Sequence, residues 1–199
     1  MARLIRALML DVDGVLLRGR PADGLPWAAQ LEPDLGVSPE ALHQAFFAPH
    51  WNEIVVGCAG LMERLGPALA GIAPRVQAQR LVDYWFAQDS RVDEGVLADV
   101  AALRAQGVAV HLATNQEHLR AAWLRERFGG FVDGVQYSAA LGVKKPDPAF
   151  FARAAAAVGL PAADMMLVDD TAANVQAARA AGWQARHWSG ETRLATLCG

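Results

Sequence analysis

Two aspartates, Asp11 and Asp13, follow the apolar run Ala7-Leu8-Met9-Leu10 and precede Gly14. Such a run reads as an interior strand. Carboxylates at its exit are costly to desolvate unless a positive charge meets them, and Gly14 lets the chain turn sharply away. The pair is suited to holding a hard cation and to attacking an electrophile. Three other apolar runs lead into polar groups: His111-Leu112-Ala113 into Thr114-Asn115, the segment at Tyr137-Ser138 toward Lys144-Lys145-Pro146, and Met165-Met166-Leu167-Val168 into Asp169-Asp170. In a parallel sheet these sets gather at one edge, where four carboxylates meet a hydroxyl, an amide and at least one ammonium. Clustered carboxylates repel and require a cation. Oxygen ligands without His or Cys suit Mg2+. A Mg2+ site beside a lysine and a hydroxyl suits a phosphoryl group, and a carboxylate nucleophile gives a covalent acyl-phosphate.

Taken singly, each set reads equally well as a polar turn, a helix cap or a solvated loop. The catalytic reading rests on their joint order. Lys144 and Lys145 are also the only lysines in a chain with sixteen arginines, which suggests that a compact point charge is needed there.

Asp11-Val12-Asp13-Gly14-Val15, Leu112-Ala113-Thr114-Asn115, Gly142-Val143-Lys144-Lys145-Pro146-Asp147-Pro148 and Val168-Asp169-Asp170-Thr171-Ala172-Ala173-Asn174-Val175 resemble, in order and spacing, the four motifs of the haloacid dehalogenase superfamily in its phosphatase branch. The resemblance implies catalytic roles for Asp11, Asp13, Thr114 and Lys145. Asp11 is then the nucleophile and a metal ligand. Asp13 protonates the leaving oxygen, deprotonates the hydrolytic water, and touches the metal through its backbone carbonyl. Thr114 and Asn115 hold the phosphoryl oxygens. Lys145 fits the family's lysine better than Lys144. Asp170 is the direct Mg2+ ligand, with Asp169 acting through water or orienting the site. Asp13 separates this pattern from the carbon-attacking dehalogenases, which lack a second acid there. A phosphomutase uses the same residues, and a binding module that has lost turnover is the rival from another class.

The elements that must position these residues alternate. Strands are predicted at Leu4–Leu10, Val108–Ala113, Gly134–Tyr137, Met165–Val168 and Gln184–Trp188. Helices are predicted between most of them, at Glu94–Gln106, Glu117–Phe128, Pro148–Val158 and Ala172–Ala181, each followed by glycine as an expected left-handed cap. This is an α/β pattern: a Rossmann-like parallel sheet with helices on both faces, whose binding site lies at the carboxyl ends of the strands. Residues 17–90 break the rhythm, with helical segments at Pro39–Phe47, Gly60–Leu69 and Pro74–Ala87 and no convincing strand. They read as a small all-helical cap inserted after the first strand, leaving residues 1–16 and 91–199 as the catalytic core.

Substrate choice is expected to lie in that cap. His50, Trp51, Asn52 and Glu53 form a polar-aromatic cluster, and Arg18 and Arg20 sit near its first hinge. The cluster resembles the matching stretch of sugar-phosphate phosphatases, so His50, Trp51, Glu53 and Arg18 are expected to read a hexose phosphate or a similar small phosphorylated metabolite. A net charge of −3 with no basic run argues against nucleic acid as a partner. No apolar stretch approaches membrane-spanning length, and Cys58 and Cys198 suggest neither a disulfide nor a metal site. A cytoplasmic monomer or homodimer is expected.

Overall fold

The structure, a computed structural model, describes residues 5–191, 193, 194 and 196. Leu4, the first residue of the predicted opening strand, and Cys198 lie outside them. The first strand, β1 (Ala7–Leu10), is buried throughout. Ala7 and Met9 pack into one apolar cluster, Leu8 and Leu10 into another, as expected when a parallel sheet is covered on both faces. Complete burial of one such leucine is worth about 1.5–3 kcal/mol relative to exposure.

A helical unit follows. A 3-10 turn at Trp27–Gln30 runs into α1 (Leu31–Leu35). Then come α2 (Pro39–Leu42), a π turn at His43–Phe47 and α3 (Ala48–Ile54), which form one continuous run. The run was expected to end at Phe47. It continues because the π turn precedes Pro49, whose ring would otherwise crowd the carbonyl of Ala45 and which has no N–H to donate. Next are α4 (Leu61–Ile72), which contains Pro67, and α5 (Ala78–Gln88), which starts later than expected because Gln77 is still extended. These helices share their own apolar cluster around Leu42, Phe46, Ile54, Leu65 and Leu81. Trp27 stacks on Trp85 within it, ring centroids 5.2 Å apart at 25°.

The chain then returns to the sheet through α6 (Glu94–Ala105), β2 (Ala109–Thr114), α7 (His118–Phe128), β3 (Gly134–Tyr137) and α8 (Ser138–Leu141). It closes with α9 (Pro148–Val158), β4 (Met165–Asp169), α10 (Ala172–Ala180) and β5 (Gln184–His187). The five strands are parallel in the order β3-β2-β1-β4-β5. The chain leaves β1 toward β2 on one side and later toward β4 on the other, which opens a crevice at the carboxyl end of β1. Leu10 pairs with Leu112 and Val168, so the next register step sets Asp11 level with Ala113 and Asp169. Asp147 caps α9, its Oδ1 accepting from Ala149 N at 2.8 Å. Gly107, Gly159 and Gly182 have the positive φ expected of left-handed caps, but Gly129 stays right-handed at φ −58. No helix among the described residues is long and apolar enough to cross a membrane.

Candidate active site

Lys145 organises the strand ends. Its Nζ donates to Asp11 Oδ1 at 2.9 Å, Asp169 Oδ2 at 2.5 Å and the Ala113 carbonyl at 2.7 Å, with the residue 2% exposed. Three acceptors match the three donors of an ammonium. The loop that delivers it is clamped by Asn115: Lys145 N donates to Asn115 Oδ1 at 2.8 Å, and Asn115 Nδ2 donates to Lys145 O at 3.0 Å. The Asn115 side chain is therefore committed to the Lys145 backbone, and any contact of this residue with a substrate falls to its main chain. Thr114, at the end of β2, is buried beside it. Lys144 points elsewhere and donates to Asn52 Oδ1 at 2.7 Å.

Asp169 is fully buried and also accepts from Thr171 N at 2.8 Å and from Asn174 Nδ2 at 3.0 and 3.1 Å. Asp170 is exposed and lies against the Gly14 backbone, where a Cβ would meet its Oδ2 at 2.0 Å. A side chain there would displace the Asp170 carboxylate, and the φ of +83 favours glycine as well. Asp11, Asp169 and Asp170 each bring an oxygen within 4.8 Å of the others, which fits a hard divalent cation. The Asp13 carboxylate is outside this group. The charge balance supports the fit. Burial pushes the Asp11 carboxyl up to about 7; Lys145 opposes the rise, while Asp169 and Asp13 add to it. Burial also works against the charge of Lys145, but Asp11 and Asp169 outweigh it and hold its pKa above the ordinary value. One ammonium leaves this set of acids short of positive charge.

Asp13 faces the cleft and is open to solvent on that side. Crowding by protein on its other sides, together with the negative charge of Asp89, pushes its carboxyl up to about 6; Arg120 and a hydrogen bond from Gln116 oppose the rise. Water in the open cleft screens part of that effect. Gln116 Nε2 donates to Asp13 Oδ2 at 2.5 Å. Arg120 is 1% exposed and donates to Phe86 O at 3.3 Å and Asp89 O at 2.5 Å, tying α7 to the end of α5. Gln116, Arg120, Asp89 and the Asn174 side chain were not singled out from sequence. Only Asn174 had a signal, its place in the first turn of the helix that follows Asp169-Asp170.

Of the residues expected to read substrate in the cap, His50, Trp51 and Glu53 are not among those lining this cleft. Trp51 packs on Phe47 and Trp85 in the helical unit's aromatic cluster, with centroids 5.5 and 5.7 Å away. Glu53 pairs with Arg64 at 3.6 Å, and half-buried His50 is not among the cleft-lining residues. Helical rotation sends neighbours in sequence to different sides. Arg18 does line the cleft, with Nε 3.1 Å from Asp93 Oδ2. The cleft, about 680 Å³, opens from Asp13, Gly14 and Asp170 toward Leu17, Pro26, Trp27, Trp188 and Ser189.

An α/β enzyme that collects its acids at the carboxyl edge of a parallel sheet, with a helical unit inserted after the first strand, is the class these features define. A model of haloacid dehalogenase-like hydrolases matches residues 5–182, and the chain belongs to that family. A phosphoglycolate phosphatase of Nitrosospira multiformis is 31% identical over 189 residues, covering 89% of this chain and 80% of its own length. A sesquiterpene phosphatase of Aspergillus oryzae is 34% identical over 99 residues, covering 49% of this chain and 50% of its own. A haloacid dehalogenase family enzyme of Bacteroides thetaiotaomicron, solved with magnesium and inorganic phosphate, shares the fold: TM-score 0.80, 15% identity, 97% of this chain and 98% of that one. The chain is a hydrolase, of the phosphatase kind.

Proposed function

We propose that this protein is a Mg2+-dependent phosphate-monoester hydrolase that works through an aspartyl-phosphate on Asp11 and acts on a small phosphorylated metabolite. The observation that carries this reading is the buried Lys145 ammonium joined to Asp11 and Asp169, with Asp170 and Asp13 flanking the same cleft mouth. Asp11, Asp169 and Asp170 would hold the cation, which when bound supplies charge that offsets the phosphoryl oxygens and the acids themselves. In the first step an Asp11 oxygen attacks phosphorus, the ester P–O bond breaks, and Asp13 gives its proton to the departing oxygen. A carboxyl held above the ordinary range keeps more of that proton available near neutral pH. In the second step Asp13 takes a proton from water as the water attacks phosphorus, releasing inorganic phosphate and regenerating Asp11. Lys145 keeps Asp11 aimed, and Thr114 with the Asn115 main chain steadies the phosphoryl oxygens. The named relatives act on leaving groups as different as glycolate and a sesquiterpene, so substrate identity falls to this chain's own cleft.

The test is Asp11→Asn, which removes the nucleophile with little change of shape. Phosphate release from an aryl phosphate with Mg2+ should fall by about a thousandfold or more. A near wild-type rate would sink the mechanism. No phosphate release by the wild type, with chloride release from 2-chloropropionate, would mark a carbon-attacking enzyme instead.

A further inference from the structure

We propose that the leaving group read by this cleft is a flat, largely apolar alcohol rather than a sugar; the inference rests on the hydrolase reading above. The hexose expectation rested on His50, Trp51 and Glu53, which turn to the helical unit's packing and surface rather than to the cleft. The residues that do line it beyond the reacting end are of another kind. Leu17, Pro26, Trp27 and Trp188 are apolar or aromatic, and Ser189 brings a hydroxyl.

The charged groups there have ion-pair partners, although Arg18 Nε makes no hydrogen bond of proper geometry. The Arg18 guanidinium has Nε 3.1 Å from Asp93 Oδ2 and lies against Gly190, where a Cβ would meet Nη2 at 2.6 Å. Asp89 is met by Arg120, with Nη2 3.4 Å from its Oδ2. A sugar carries several hydroxyls, and each needs a partner when it leaves water. Ser189, the unpartnered Trp188 indole N–H and the Arg18 guanidinium are fewer side-chain partners than the hydroxyls of a hexose need. A second anionic group meets one cation among the described lining residues, Arg18, whose charge is shared with Asp93, and it would face Asp13, Asp89 and Asp170.

Trp27 is the specificity residue in this arrangement. Its ring is held from behind by Trp85 and flanked by Phe47 at 6.3 Å. A ring fixed in this way offers apolar surface at little cost in side-chain entropy.

The test uses the full chain with Mg2+ and three esters of primary alcohols: phenethyl phosphate, glycerol 3-phosphate and glucose 6-phosphate. The reacting ester is similar in all three. We expect kcat/KM for phenethyl phosphate to exceed both others by about tenfold or more, chiefly through KM. Trp27→Ala should pull that ratio toward unity. Both rates come from one preparation, so loss of folded protein cancels in the ratio. Ser189→Asp, at an exposed position on the wall, should lower the ratio without touching the aromatic cluster. A wild-type ratio at or below one, with phosphate released, overturns this inference and leaves the hydrolase reading standing. A ratio that neither variant moves overturns the assignment of the wall. No phosphate from any ester overturns both readings.

Discussion

Gln116 Nε2 donates to Asp13 Oδ2 at 2.5 Å, tying the loop after β2 to the loop after β1. The Gln116 main chain is itself held, because its carbonyl accepts from Ser138 Oγ and Ala139 N, each at 3.2 Å. The donor is therefore fixed, and it fixes the carboxylate proposed to exchange a proton with the leaving group. Gln116→Leu keeps the volume and removes the donor. We expect kcat with an aryl phosphate to fall by about tenfold to a hundredfold, with KM nearly unchanged. Steady-state kinetics would check this. A rise in KM alone would show that Gln116 contacts substrate rather than Asp13.

Lys145 has a structural role besides the catalytic one proposed for it. Lys145→Met leaves Asp11 and Asp169 buried with no ammonium between them. Removing one partner of a buried ion pair costs about 3–5 kcal/mol, because the remaining charge stays desolvated. Added Mg2+ should therefore raise the melting temperature of the variant more than that of the wild type. Thermal melts with and without Mg2+ measure this. Equal shifts in both proteins would argue that the acids do not share a cation site.

The sheet was legible because its strands are short apolar runs, and the corners of the site were legible because each lies at or just beyond a strand end. What holds those corners was not. Gln116 and Asp13 are 103 positions apart, and their pairing depends on a register that no local pattern reveals. Arg120 sits among the charged residues of α7 and reads as a surface cation, yet it is among the most deeply buried large side chains. The stretch from His50 to Glu53 is hard to read for the opposite reason. It is dense in sequence, but the turn of α3 sends Trp51 into the aromatic cluster and Glu53 toward Arg64. Pro49 and Pro67 also obscured how far α3 and α4 extend.

Arg120 joins α7 to the end of α5. Besides its two backbone acceptors, its guanidinium lies 4.3 Å from the Trp123 ring centroid and 5.0 Å from that of Phe86. Burial, helped by the charge of Arg127, lowers its pKa, although Asp13, Asp89 and Glu117 work the other way. A lysine keeps the charge but lacks the planar fork that stacks and donates in two directions. Arg120→Lys should thus destabilise the protein by about 2–3 kcal/mol. The check is the urea unfolding midpoint. A change within about 0.5 kcal/mol, the range of ordinary surface substitutions, would show that the contact carries no load.

Two stabilising contributions near the β2–β3 edge should each be lost in acid, in separate windows, while the raised carboxyls of Asp11 and Asp13 work the other way as they take up protons. His111 is half-buried, and burial holds its ring below the ordinary value of 6.5 although Asp133 pulls the other way. Asp133 accepts from Val110 N and from Arg104 Nη2, each at 2.8 Å. Burial pushes its carboxyl up, but the Val110 and Arg104 contacts outweigh that and hold it below 3.8. Both folded-state values are depressed, so the unfolded chain binds protons first in each case. The His111 contribution is complete above pH 6.5 and is lost as pH falls from there through the lower folded value. The Asp133 contribution is complete above pH 3.8 and is lost below it. His111→Gln should flatten the first decline and leave the second. Asp133→Asn should flatten the second and, discounted for the exposure of the carboxylate, cost about 1 kcal/mol or less at neutral pH. Urea unfolding across the acid range reads both slopes. Identical slopes for the wild type and His111→Gln below pH 6.5 would contradict a His111 kept neutral by burial.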